Sequence, residues 1–159
     1  AWEDAVLAAD NGIDAIIVSN HGARSEDSGR STIDALPEIV EAVNGRIPII
    51  VDSGFRRGSD IVKALCIGAN AVCVGRPYIW GLGAFGQPGV ERVLELLRTE
   101  TYAMMQQVGA PSIKHLTPAM VVVLPGPPGR VDGWIVGPEC ATADDNDIYL
   151  FERVVLSPG

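Results

Sequence analysis

Residues 13–24 read Ile13-Asp14-Ala15-Ile16-Ile17-Val18-Ser19-Asn20-His21-Gly22-Ala23-Arg24, and this stretch indicates the class of the fold. Its first half is a short, β-branched apolar run, which predicts a buried strand. His21 and Arg24 follow just past the end of that strand. Ligands in α/β folds bind at the carboxyl ends of the strands. A base and a fixed cation at this place suit proton abstraction from a small carboxylate, although a histidine here can also simply cap a loop.

The first 118 residues alternate the sequence patterns of helices and strands. Short apolar runs predict strands over 14–19, 47–51 and 71–74. Amphipathic runs predict helices over 2–11, 36–43, 59–67 and 89–108, the second with Pro37 in its first turn. The resulting βαβαβα order predicts parallel strands joined by right-handed crossovers.

Three βα units leave a parallel sheet with open edges, whereas such sheets need both faces covered. We therefore expect residues 1–118 to be part of a larger fold. A fragment is the simplest explanation, because the sequence begins inside a helix pattern without a methionine. Residues 119–159 are rich in Gly, Pro and Asp and lack a clear period, which predicts an irregular, poorly packed tail with a short strand near 148–151.

Composition excludes several classes of protein. The chain has 159 residues, a mean hydropathy of +0.21 and a net charge of −8, which argues against a nucleic-acid partner. No apolar run reaches the length of about 18 residues that a membrane span needs. Three cysteines without a C-x-x-C pair predict a reducing compartment, no zinc site, and buried free thiols at Cys66 and Cys73. We expect an intracellular location, cytoplasmic or organellar, without a secretion signal and without a peroxisomal tripeptide at the C-terminus.

Two further motifs follow the second and third predicted strands. The first is Asp52-Ser53-Gly54-Phe55-Arg56-Arg57-Gly58, and the second is Gly75-Arg76. Glycine permits close approach of the backbone to a ligand, a helix N-terminus favours anions, and arginine binds phosphate. Because TIM barrels often bind phosphate at the loops after strands seven and eight, the two motifs predict a phosphate site. In the alternative interpretation, the glycines serve only turns and the arginines are solvated.

Other polar and aromatic residues have weaker patterns. His115 has no partner motif and is expected to be structural or on the surface. Packing is the expected role of the three tryptophans and of Tyr78, although Tyr78 has an alternative place at the rim of a cofactor. Three acidic residues after the first strand are expected to be solvated: Glu26, Asp27 and Asp34. Asp27 has an alternative role, in which it orients an arginine of the site.

Four segments together resemble the FMN-dependent 2-hydroxy-acid oxidase/dehydrogenase family, of the glycolate oxidase, lactate oxidase and flavocytochrome b2 type. They are Ser19-Asn20-His21-Gly22-Ala23-Arg24, Leu36-Pro37-Glu38-Ile39, Asp52 to Leu65, and Gly68 to Tyr78. The resemblance covers about 1–118. It implies that the chain corresponds to the last three βα units of a TIM (β/α)8 barrel, incomplete as given, with 119–159 as an unassigned tail.

The resemblance also implies roles for single residues. His21 matches the base that removes a proton as a small (S)-2-hydroxy acid is oxidised to the 2-oxo acid, and Arg24 matches the arginine that holds the substrate carboxylate. The residues that match FMN contacts of the family are Ser19, Asp52, Ser53, Gly54, Phe55, Arg56, Gly75 and Arg76. The family usually has Asp-Gly-Gly where this chain has Asp52-Ser53-Gly54. The electron acceptor stays open among oxygen, a quinone and a cytochrome, and a homo-oligomer is one expectation for the full-length form.

Two alternatives stay open at this point. A different FMN or phosphate-binding TIM-barrel enzyme, such as an aldolase-like lyase, explains Gly75-Arg76 equally well but leaves His21 and Arg24 without a purpose. A truncated, inactive fragment would bind nothing, and its open sheet edges would favour aggregation.

Overall fold

A three-stranded parallel sheet with helices packed on it forms the larger part of the chain. The computed structural model describes residues 1–24, 28–125 and 131–136. The strands of this sheet are β1 (Ile16–Val18), β2 (Ile49–Val51) and β3 (Ala71–Val72), in that spatial order. The helices are α1 (Trp2–Asp10), α2 (Thr32–Val43), α3 (Gly58–Ile67), α4 (Arg76–Phe85) and α5 (Gln87–Gln107). The predicted α/β class and the parallel sheet are confirmed.

The sheet register places the ends of all three strands at one edge. Ile16 pairs with Ile49, and Ile50 pairs with Ala71. The strands are shorter than predicted, but the hydrogen bonding continues past them: Asp52 N donates to Val18 O (3.1 Å) and Cys73 N to Val51 O (2.8 Å). The loops that carry the three sequence motifs therefore start side by side.

The core lies between the sheet and helices α2, α3 and α5. Its most deeply buried side chains are Leu36, Val43, Val51, Val62, Cys66, Thr101 and Met104. Burial raises the pKa of the Cys66 thiol to about 12. A buried, protonated thiol confirms the prediction for Cys66.

Helix α2 begins four residues before the predicted start. Ser31 caps it by accepting a hydrogen bond from Asp34 N (3.3 Å), and Asp34 lies in the first turn, where the helix dipole favours an acid. Asp34 is therefore part of a helix cap and not a solvated loop charge. Pro37, expected in the first turn, lies inside the helix.

Helix α4 was not predicted from the sequence, and its packing on α5 explains two of its unusual residues. Gly81 of α4 and Gly89 of α5 face each other so closely that a Cβ added at Gly89 would overlap Gly81 O. A Cβ at Gly81 would lie 2.5 Å from Gly89 O. The two glycines therefore allow the backbones of α4 and α5 to touch.

The prediction that the segment after residue 120 lacks regular elements was wrong for its first part. Val121–Pro125 (β4) and Val131–Val136 (β5) form an antiparallel pair, with Val121 opposite Val136. Valine and isoleucine are frequent in both segments, and such β-branched residues favour strands. Met120 and Val121 pack against the core. The strand expected near 148–151 lies outside the described residues.

Candidate active site

A cavity of about 530 Å³ lies at the carboxyl ends of the three parallel strands. Residues from all three predicted motifs line it: His21 and Arg24 after β1, Asp52 to Arg56 after β2, and Gly75 and Arg76 after β3. The structure therefore brings together nine of the ten residues that the sequence and the family resemblance singled out. Ser19 is the exception, since it lines a second cavity beside the outer edge of β1.

The loop after β1 holds His21 in an unusual backbone conformation. His21, Gly22 and Ala23 have φ angles of 53°, 71° and 62°, which lie in the left-handed region. Each of the three backbone N–H groups donates to a side-chain oxygen: His21 N to Ser19 Oγ (3.2 Å), Gly22 N to Ser53 Oγ (3.2 Å) and Ala23 N to Asn20 Oδ1 (3.0 Å). Side chains thus stabilise a conformation that only glycine adopts readily.

Polar groups at the end of the loop after β2 are hydrogen-bonded to carboxylates of α3 and α5. Asp60 Oδ2 accepts from Arg56 N and Arg57 N (3.0 Å each), and Glu100 accepts from Arg57 Nε (3.0 Å) and Gly58 N (3.1 Å). The expectation that the N-terminus of α3 and Arg57 serve a phosphate is therefore wrong. Arg56 remains on the cavity wall.

The loop after β3 leads directly into α4, whose first residues line the cavity. No side chain of the described residues caps this helix, and its first turn carries no acid. A Cβ added at Gly75 would meet nothing within 4 Å, and Arg76 Nη2 reaches to 3.8 Å from the Cβ position of Gly22. An open helix N-terminus beside an arginine is an arrangement that binds anions.

Positive charge dominates the cavity although the chain is acidic. Arg24, Arg56 and Arg76 line it, against one carboxylate, that of Asp52. Within the described residues, none of these three guanidinium groups has a carboxylate partner, whereas Arg30, Arg46, Arg57 and Arg92 are all paired. Unpaired guanidinium groups in one cleft raise the local concentration of anions. The cavity is therefore suited to a ligand with at least one phosphate or carboxylate.

Some lining residues were not assigned from the sequence. Cys73, predicted to be buried, is exposed and lines the cavity, because the two-residue β3 ends before it. Trp80, predicted to pack, is 58% exposed and lines the cavity together with Ile79. Trp2 is 44% exposed. A helix predicted from Arg76 onward would have placed Ile79 and Trp80 at the site.

The remaining expectations concern groups away from the cavity or outside the described residues. His115 is exposed, with its Nδ1 2.8 Å from Ser112 Oγ, which confirms a surface role. Tyr78 is half-exposed and is not a lining residue. Glu26 and Asp27 lie outside the described residues. In the part of the chain that the structure describes, no cluster of His, Cys, Asp or Glu is suited to a metal, and no helix is long and apolar enough to cross a membrane.

Comparison with known proteins gives consistent results. A 2-hydroxyacid oxidase from Dictyostelium discoideum is 50% identical over 119 residues, which cover 75% of this chain and 31% of the relative. An L-lactate oxidase from Lysinibacillus sphaericus is 54% identical over 114 residues, which cover 72% and 30%. A mandelate oxidase solved with 3,3-difluoro-2-hydroxy-3-phenylpropionic acid superposes with a TM-score of 0.72 at 46% identity, over 74% of this chain and 36% of that structure.

The chain therefore spans about a third of the length of the curated relatives it matches. The family model for FMN-dependent dehydrogenases matches residues 1–123. That match includes all three loops of the cavity, and it confirms the resemblance found in the sequence motifs. The chain belongs to the FMN-dependent dehydrogenase family.

Proposed function

We propose that this protein oxidises a small (S)-2-hydroxy acid to the 2-oxo acid, with FMN as its cofactor. The observation that carries the proposal is the cavity itself, where His21 lies at the ends of parallel strands among three arginines that have no carboxylate partner within the described residues. Relatives named as 2-hydroxyacid and lactate oxidases support the substrate class. The structural neighbours support a finer fold assignment, in which the three βα units are the last three of a (β/α)8 barrel. The family match to residue 123 supports a barrel portion ending near 118, with 119–159 as a separate segment.

The residues of the cavity fit FMN. Its volume of about 530 Å³ is within the range of about 300–1,000 Å³ that is common for small-molecule and cofactor sites. Gly75, Arg76 and the open N-terminus of α4 would hold the phosphate, with Arg56 and Gly54 on the facing loop. Asp52, Ser53 and Phe55 would line the rest of the cofactor. We retain Ser19 as a proposed flavin contact from the resemblance, although it lies beside the outer edge of β1.

The protein residues would supply orientation and proton transfer. FMN, when bound, accepts the two electrons that leave the substrate. Arg24 would pair with the substrate carboxylate through two parallel N–H donors, which fixes the position of the 2-carbon. The imidazole of His21 would take one proton, from the 2-carbon in a carbanion route or from the hydroxyl in a hydride route. Both routes need His21 as the base.

Partners other than the substrate stay predictions. We expect the acceptor that reoxidises the cofactor to be oxygen, a quinone or a cytochrome, and a homo-oligomer stays one prediction for the full-length form. An intracellular location stays a prediction as well.

Anaerobic mixing of the FMN-loaded full-length protein with lactate or glycolate tests the proposal. We expect the visible absorbance of the flavin to bleach in the wild type and to persist in His21→Gln with FMN still bound. His115→Gln is the matched control, because it changes the other histidine, which lies on the surface away from the cavity. Arg24→Lys should mainly raise KM, because lysine lacks the bidentate geometry.

Other outcomes of the same experiment would contradict the proposal. If the flavin of His21→Gln bleaches at the wild-type rate, His21 is not the base. A flavin-loaded wild type that no 2-hydroxy acid bleaches would favour another FMN or phosphate-binding enzyme. Failure to bind FMN at all would favour the inactive fragment.

A further inference from the structure

The hydroxyl of Ser53 connects two of the loops that form the cavity. Its oxygen accepts a hydrogen bond from Gly22 N (3.2 Å), which is the residue after His21, and donates one to Asp52 Oδ1 (2.6 Å). A serine hydroxyl has one proton to donate. Because that proton points to the carboxylate, the lone pairs face Gly22 N, and the hydroxyl is fully oriented.

The backbone of Ser53 is held in a costly conformation. Its φ angle is 72°, in the left-handed region where residues other than glycine are uncommon. The buried hydroxyl of Thr32 donates to Asp52 O (2.5 Å) and also lies 3.3 Å from Ser53 O, so that the segment is fixed to the start of α2. Strained residues of this kind persist where the surrounding structure holds them and where the strain serves the site.

The turn that Ser53 contacts depends on side-chain acceptors. The turn of His21, Gly22 and Ala23 has a left-handed backbone, and each of its N–H groups donates to a side-chain oxygen. Within the described residues, Ser53 is the one of these three acceptors that lies at the end of another strand. Ser19 and Asn20, the other two acceptors, precede the turn directly in sequence. Ser53 therefore links the turn itself to the loop of Asp52, beyond the backbone hydrogen bond from Asp52 N to Val18 O that joins the two strand ends.

We infer that Ser53 is a positioning residue for His21, which sets the place of the base relative to the segment of Asp52 through the hydrogen bond to Gly22 N. This inference rests on the proposed function, in which His21 is the base. It concerns a feature of this chain, because the family resemblance gives glycine at this position. Ser53 does not need to touch the substrate for this role.

Two substitutions separate positioning from folding stability. Ser53→Ala removes the hydroxyl and keeps the Cβ that strains the backbone, whereas Ser53→Gly removes both. Since glycine accepts a φ of 72° without strain, we expect Ser53→Gly to unfold at the same or a higher temperature than the wild type. Both variants should nevertheless slow the reduction of FMN by substrate about three- to tenfold at saturating FMN, with KM within about twofold, because a single hydrogen bond is lost.

Hydrogen exchange provides a readout that does not depend on activity. We expect amide exchange of the peptide covering 20–24 to accelerate about three- to tenfold in both variants, while exchange in α3 and α5 is unchanged. Ser112→Ala is the matched control: it removes another serine hydroxyl near a histidine and should leave exchange over 20–24 unchanged.

The outcomes distinguish this inference from the proposed function. Wild-type rates of flavin reduction in Ser53→Gly, or unchanged exchange over 20–24, would overturn the positioning role of Ser53. A wild type that no 2-hydroxy acid reduces, together with accelerated exchange in the variants, would overturn the proposed function and leave the structural link between Ser53 and the His21 turn supported.

Discussion

The arginines of the cavity differ from Arg30, Arg46, Arg57 and Arg92 in having no carboxylate partner among the described residues. Surface pairs such as Arg92–Glu95 contribute little, since both side chains are more than 60% exposed. Arg24, Arg56 and Arg76 instead face the cavity, so their charges are available to a ligand. Charge-assisted hydrogen bonds from guanidinium groups to phosphate are among the stronger polar contacts in proteins.

Removal of one of these charges should weaken cofactor binding. We expect Arg76→Ala to lower the affinity for FMN about 10- to 100-fold, because a hydrogen bond to a charged group contributes about 1.5–3 kcal/mol. Quenching of flavin fluorescence during titration measures the affinity. Arg92→Ala, at a distant exposed pair on α5, should bind FMN as the wild type does. Equal affinity of Arg76→Ala and Arg92→Ala would contradict the phosphate role of Arg76.

Single residues of the site were predictable where a motif directly follows a strand. His21, Arg24, Gly75 and Arg76 lie at strand ends that the apolar runs had already indicated. The roles of Arg57 and Ser53 were not predictable. The partner of Arg57 is Glu100, which lies 43 residues away in sequence. Ser53 has a left-handed backbone, and serine rarely adopts this conformation, so the sequence does not indicate it.

Helix α4 shows why one element was missed from the sequence. Its residues are apolar on most sides and include Gly81 and Gly83, so that neither an amphipathic period nor a high helix propensity marks it. Four of its large side chains are more than half exposed, namely Ile79, Trp80, Leu82 and Phe85. The helix is held mainly by its close contact with α5, which depends on tertiary structure.

The contact between α4 and α5 predicts a specific effect on stability. Gly81→Ala places a Cβ 2.5 Å from Gly89 O, so the helices must move apart, and we expect a loss of about 1–3 kcal/mol in the free energy of unfolding. Gly83→Ala is the matched control on the same helix, where a Cβ meets nothing within 4 Å, and it should stabilise the protein by up to about 1 kcal/mol. Urea unfolding followed by circular dichroism measures both. Equal unfolding midpoints would contradict the close approach of the two helices.

At the scale of the whole molecule, the parallel sheet and the helices between its strands were predictable, whereas α4 and the β4–β5 hairpin were not. Alternating strand and helix patterns determine a parallel sheet, since each crossover returns the chain to the same edge. Within the described residues, β1 and β3 are the edges of that sheet, and Ile17 of β1 is 59% exposed. The hairpin of β4 and β5 follows no βα pattern, so its place on the chain emerged only from the structure.

The molecule as a whole carries a net charge of −8, yet its strand-end cavity collects three arginines. The central claim is that this cavity binds FMN, with its phosphate at α4 and with His21 and Arg24 at the reacting end. A crystal structure of the FMN-loaded protein with a 2-oxo acid tests this most directly. We expect the phosphate within hydrogen-bond distance of Arg76 and the N-terminus of α4, and the carboxylate of the 2-oxo acid on Arg24. A phosphate bound elsewhere, or a 2-oxo acid remote from His21 and Arg24, would contradict the account.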